Sequence, residues 1–390
     1  MAGLAASYAV LVAMAAARAR AYQALAAMVG AYAILTAGAQ GTVEAFQRLA
    51  SWNDFRVFIF IAFSLFLAGL LRELGVLKVL VDSSGCRLAM VGVPAVIGLM
   101  PMPGGALVSA MALREKYLAE ARVSREWATY MNYWFRHVWV PSWPLFQSIV
   151  ITAAVLGVDP VDVIRYSWPG TPSAILAGLA VSAPVLSRVA CPNSRGDPGR
   201  FLAALAPLAS VAILILAGVP LLAALAIVVL VVTAVWRPDK GQLLGAARLA
   251  LSPKIHLVLF ESLLFKNLIL ATSAGEAIVA WAEGVGVPPL ALAFMLPFTL
   301  GLAAGGENFF AATAIPALLP LLLGPQGVKP LPLAVAYTGG FLGVMASPVH
   351  LCLALTVEYY EASLAGVMAR VAASILLAST TALLIAWHLF

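Results

Sequence analysis

The sequence predicts an all-α polytopic membrane protein, with about ten transmembrane helices plus two re-entrant hairpins in two inverted-topology repeats. Three observations predict it: an oily composition, a sided distribution of basic residues, and two apolar segments interrupted at their centres. Of 390 residues, 63% are apolar and only 10% are charged, with a mean hydropathy of +0.99. Soluble domains carry about 25% charged residues. Runs such as "LLAALAIVVLVVTAVW" and "SILLASTTALLIAWHLF" leave no room for a solvated face. They have the length and apolarity of bilayer-spanning helices, which need roughly 20 such residues. A membrane barrel would alternate polar and apolar positions, and no such alternation is present.

In chain order, apolar spans are expected near 2–17, 22–39, 55–71, 127–156, 168–186, 201–216, 220–236, 255–273, 332–357 and 368–389. The first has no basic region before it and is followed by Arg18 and Arg20, the reverse of a secretory signal, so it is read as a membrane helix. Basic residues collect in cytoplasmic loops. That rule puts Arg18 and Arg20 inside, together with Arg72, Lys78 and Arg87, the 114–125 segment, and the basic residues of 188–200 and 237–254. Both termini are then outside. The same rule accounts for the net charge of +6 without a nucleic-acid partner. Cys86, Cys191 and Cys352 lie far apart and suggest neither a disulfide framework nor a metal spacing.

Residues 88–113 are apolar, yet both flanks carry inside-type charge. A helix crossing once would separate those flanks; a hairpin would not. Its centre, "LMPMPGGAL", holds the proline and glycine that end one arm and begin another. The tip is expected at 101–105. In the second half, 287–323 is likewise interrupted, by "AAGGEN", and its flanks lie outside. Gly104 and Gly105 thus have counterparts in Gly305 and Gly306. After each hairpin comes a helix broken by proline beside polar groups, "RHVWVPS" and "ASPVHLC". Residues 1–190 and 201–390 are therefore expected to be two repeats of five helices and one hairpin, opposite in orientation. Interrupted apolar segments at corresponding places in two halves point to a transporter's binding site.

"MPMPGGAL", "NYWFRHVW" and "SPVHLCLALTVEYYE" resemble signatures of the membrane family called domain of unknown function 401, over nearly the whole chain. That family is similar in architecture to the ion-transporter superfamily, which includes divalent anion/sodium symporters, citrate and gluconate permeases and sodium/proton antiporters. The resemblance implies substrate and cation binding between two hairpin tips and two broken helices. The tips here read "PMPGGA" and "GGEN" and lack the symporters' Ser-Asn-Thr. The resemblance therefore implies the scaffold, but does not by itself imply sodium coupling or dicarboxylate specificity.

Candidate substrate contacts are Pro103, Gly104 and Gly105 at one tip, and Gly305, Gly306 and Asn308 at the other. Asn132, Arg136 and Ser347 of the broken helices join them. A helix start at membrane depth offers free N–H groups to an anion. Arginine there is costly unless it faces a partner or a watery cavity. Arg136 is read either as the main anion contact or as a charge balance, with Asn132 one turn earlier on its face. Glu307 is able to bind a coupling cation, take up a proton or pair with Arg136. His137 and His350 are candidates to relay protons or simply to hydrogen-bond. The tryptophans at 134, 139 and 143 are read as packing or interface anchors, and Glu261 and Lys266 as polar contacts within the bundle.

The expected function is secondary active transport of a small anion across the cytoplasmic membrane by alternating access, coupled to H+ or Na+. A homodimer is carried as an implication of the resemblance. A cation/proton antiporter is the alternative. An intramembrane enzyme is the reading from another class, although no metalloprotease, serine-nucleophile or aspartate-pair signature supports it. No Walker-type loop is present, and no cofactor is expected.

Overall fold

The computed structural model describes residues 2–17, 21–100, 105–189 and 196–390. Among them, six helical runs are long and apolar enough to cross a membrane, or eight when each of two sharply bent pairs counts as one span. The chain is a polytopic integral membrane protein. Helix is the expected state of so much Ala and Leu, and in a bilayer it satisfies every backbone group internally. The single ladder among the described residues pairs Leu323–Gly324 with Gly327–Val328.

The first half opens with α1 (Ala2–Ala16) and α2 (Ala21–Tyr32), which passes through a π-helical turn at Ala33–Ala37 into α3 (Gly38–Leu49). The helix thus runs ten residues past the expected end at 39. Then come α4 (Trp52–Glu73), α5 (Val76–Ser83), α6 (Cys86–Gly98) and α7 (Gly105–Arg114). The Tyr117 hydroxyl donates to the Met90 carbonyl at 2.6 Å, so the chain leaving α7 lies beside the chain entering α6. α6 and α7 also pack on each other. The expected 127–156 helix is α8 (Arg125–Arg136) and α9 (Gln147–Leu156) with irregular turns between them. A bend of 107° leads into α10 (Pro160–Ser167), before α11 (Gly170–Leu186).

The second half contains α12 (Pro198–Leu216), α13 (Leu221–Trp236), α14 (Lys240–Ala250) and α15 (Pro253–Thr272). α16 (Ala274–Gly284) turns through 118° into α17 (Pro289–Ala304). Past Gly305 and Gly306, a short α18 (Glu307–Phe309), a π-helical turn at Phe310–Ala314, α19 (Ile315–Ala317) and α20 (Leu319–Leu322) make the return arm. α21 (Pro330–Ala346) and α22 (Leu351–Tyr360) are the second broken helix, and α23 (Leu364–Leu389) ends the chain.

The packing is reciprocal. α3 lies on α15, while α14 lies on α4; α2 packs on α15 and α13 on α4. α22 packs on α7, while α9 packs on the Phe310–Ala314 turn and on α18 and α19. α11 and α23 pack on each other. Buried tyrosines stitch distant elements: Tyr360 to the Ala110 carbonyl at 2.8 Å, Tyr337 to Ser148 at 2.8 Å, and Tyr133 to the Met345 carbonyl at 3.2 Å. A phenol placed this way keeps its ring in the apolar core and its hydroxyl satisfied. Leu216, Leu230 and Leu376 point outward, as lipid-facing residues do. One expectation fails. Cys86 is disulfide-bonded, with its other half outside the described residues, and Cys352 is free. Sequence spacing is silent about contacts closed by the fold.

Candidate functional site

Three chain breaks build the site, and each has a local cause. Ser124 caps the start of α8, and Pro141 and Pro144 follow its end at Arg136, with His137 as the C-cap residue. α21 stops at Ala346 because Ser347 precedes Pro348 and takes an extended conformation, ψ 121°. α17 stops at Gly305, whose φ of +65° is the left-handed cap that glycine adopts without strain. A Cβ on Gly305 would lie 2.9 Å from both the His350 backbone nitrogen and the Ser347 Oγ. The second tip is therefore laid directly on the break between α21 and α22.

Between these breaks is a cavity of about 450 Å³. Arg136, His137 and Gln147 line it from the first half, and Gly305, Gly306, Glu307, Asn308, His350 and Cys352 from the second. Tyr22, Ser252 and the exposed Lys254 line it towards solvent. Arg136 and His137 are buried, at 4% and 1% exposure, and so is His350 at 5%. An Arg136 guanidinium N–H approaches the Cys352 sulfur at 3.8 Å. The Asn308 amide donates to the Gln147 side-chain oxygen at 2.5 Å, joining the tip to the start of α9. The two histidine rings meet edge to face, 4.9 Å between centroids, and each also touches the Tyr133 ring. His137 Nδ1 lies 2.6 Å from the Tyr133 carbonyl. A carbonyl only accepts, so Nδ1 holds the hydrogen and Nε2 presents a lone pair. A groove of about 310 Å³ between α12 and α13 is lined almost wholly by apolar residues, with Ser210 its polar exception, and has none of this chemistry.

A family model described as "Protein of unknown function (DUF401)" matches residues 2–389. The chain belongs to the DUF401 family. A similar fold occurs in the crystal structure of the YdaH transporter of Alcanivorax borkumensis, at 15% identity and a TM-score of 0.58. The match covers 89% of this chain and 86% of that one, and that structure is described as having an unusual topology. No curated protein matches this chain.

In this DUF401 chain, the fold brings Arg136, His137, His350, Gly305, Gly306, Glu307 and Asn308 into one cavity. Pro103 and Gly104 lie outside the described residues. Gly105 is buried at the start of α7. Asn132 does not line the cavity; its amide donates to the Ala106 carbonyl at 2.9 Å and to Thr356 at 3.4 Å, tying α7, α8 and α22 together. Ser347 is fully buried behind the Gly305 tip, and its hydroxyl has no partner. Lys266 reaches from α15 to the Ala154 carbonyl of α9 at 3.3 Å. Trp134 and Trp143 donate to the Ala174 and Leu99 carbonyls, as packing anchors do. Sequence reasoning missed Gln147 and Cys352. The signals available were a polar residue opening the second arm after two prolines, and a thiol two positions after His350.

Proposed function

We propose that this chain is a secondary active transporter that moves a small organic anion across the cytoplasmic membrane by alternating access, coupled to H+ or Na+. The observation that carries this reading is the convergence on one cavity of Arg136 with the starts of α9 and α22. Gln147 and Leu351, the first residues of those helices, both line it. Helix starts bear partial positive charge and free N–H groups, and arginine grips a carboxylate with two prongs. Discontinuous helices at such a site are how membrane transporters bind anions. The reciprocal packing of α3 with α15 and α14 with α4 supports two inverted repeats, and the fold likeness to the YdaH transporter supports a transport role. The exposed Lys254 lining the cavity belongs to a loop with inside-type charge, which supports an inward-facing state.

The test is uptake of a panel of small carboxylates into proteoliposomes, with sodium and pH varied, for wild type, Arg136→Gln and Arg136→Lys. Arg136→Gln is expected to weaken anion binding by about 1.5–3 kcal/mol, and lysine to restore only part of it. Glu307, beside Asn308 in the cavity, favours a second reading as a cation/proton antiporter. Under that reading Arg136→Gln leaves anion affinity unchanged, while Glu307→Gln abolishes sodium- or proton-driven exchange.

A further inference from the structure

We propose that His137, His350 and Cys352 form a three-ligand site for a borderline transition-metal cation of the Zn2+ class, with its fourth position open to the cavity. The three donor atoms all lie within 4.8 Å of one another. They come from both broken helices, so the site exists only when the two halves are packed. Zinc bonds of about 2.0–2.3 Å set tetrahedral ligand separations of roughly 3.3–3.8 Å. Side-chain adjustments of about 1 Å close the remaining distance.

The ligand chemistry is already arranged. The Tyr133 carbonyl fixes the His137 tautomer and makes Nε2 the lone-pair nitrogen, the outer-shell pattern that orients metal-binding imidazoles. His350 Nδ1 is buried and has no hydrogen-bond partner, a cost that coordination removes. Imidazole and thiolate suit zinc-class ions and disfavour Mg2+ or Ca2+, which want oxygen shells. As the sulfur–metal bond forms, the Cys352 thiol proton leaves to water through the cavity. Arg136 then donates to a coordinated thiolate. Glu307, on the same wall, is placed to offset charge or to supply the fourth ligand. The site shares the cavity of the proposed transport function but stands without it, because metal binding is read on purified protein whether or not an anion moves.

The experiment titrates Co2+ into chelator-treated protein in detergent, with the Cys86 disulfide intact so that Cys352 is the free thiol. The expected result is one Co2+ per chain, with visible bands of tetrahedral cobalt and a near-ultraviolet sulfur-to-cobalt charge-transfer band, both bleached by Zn2+. Cys352→Ser should lose the charge-transfer band. His137→Ala and His350→Ala should each weaken binding by at least about tenfold, the lower end for lesions at metal sites. The exposed His388→Ala should change nothing. Metal-free thermal stability of each variant separates misfolding from ligand loss. No charge-transfer band in wild type, or an undiminished band in folded Cys352→Ser, overturns the site. Intact metal binding with unchanged anion affinity in Arg136→Gln would sink the anion reading and leave the metal site standing.

Discussion

Gly305 and Gly306 are adjacent in sequence but differ physically. Gly305 has φ +65° and no space for a Cβ against the backbone of His350; Gly306 has φ −136°, and its added Cβ would meet only the Phe309 ring. Gly305→Ala is therefore expected to lower stability by more than about 1 kcal/mol and to abolish transport, with Gly306→Ala the milder of the two. Thermal unfolding in detergent and proteoliposome uptake check the order; equal effects would remove the backbone argument. At this scale Arg136, His137, His350 and Glu307 were legible, because Arg, His and Glu inside an apolar run need a reason to be there. Gln147 and Cys352 were not, since their meaning comes from elements that meet only in three dimensions. Asn132 shows the same limit from the other side. Helical spacing put it one turn before Arg136, but its amide is taken up by α7 and α22 rather than by the cavity.

Among the elements, the start of α8 is clamped to the corner between α22 and α23. Arg125 pairs with Glu361 at 2.6 Å, the Ser363 N–H donates to Glu126 at 3.3 Å, and Arg370 lies 4.4 Å over the Trp127 ring. The backbone N–H of Glu126 itself, then the Ser124 hydroxyl and the Ser363 N–H, hold the Glu126 carboxyl below the usual carboxylate range. A depressed folded-state pKa contributes stability above the unfolded value, and that contribution is lost as pH falls through the folded one. Glu126→Gln should accordingly flatten the acid limb of the curve of melting temperature against pH, leaving neutral-pH folding intact. The Arg125–Glu361 pair is exposed, so Arg125→Ala should cost less than about 1 kcal/mol. Both broken helices were legible from their prolines. The bends before α10 and α17 were not, because nothing in "GVDPVD" or "GVGVPP" states an angle.

For the whole molecule, the proposed sidedness makes a prediction about reagents that do not cross membranes. In a Cys352→Ser background with the Cys86 disulfide intact, Arg125→Cys and Lys254→Cys should react from the cytoplasmic face. Asp159→Cys should react from the opposite face. All three positions are exposed. Labelling of Arg125→Cys and Asp159→Cys from the same face would refute the proposed spanning path through α8 and α9. Membrane character and the interrupted segments were legible here because composition and charge are summed along the chain. The pairing of α3 with α15 and of α14 with α4 was not, since no residue in either helix names its partner.

That crossed pairing also bears on how the chain is made. α4 meets α9 within the first half, but the helix it packs on most, α14, is synthesised later, as is α15, on which α3 lies. The nascent first half must therefore wait in the bilayer with apolar but unmatched surfaces, shielded by lipid or by the insertion machinery. Two separately encoded halves, divided after residue 196, should accumulate and protect one another from degradation when made together. Each made alone should be cleared, and pulse-chase decay of the two fragments would show it.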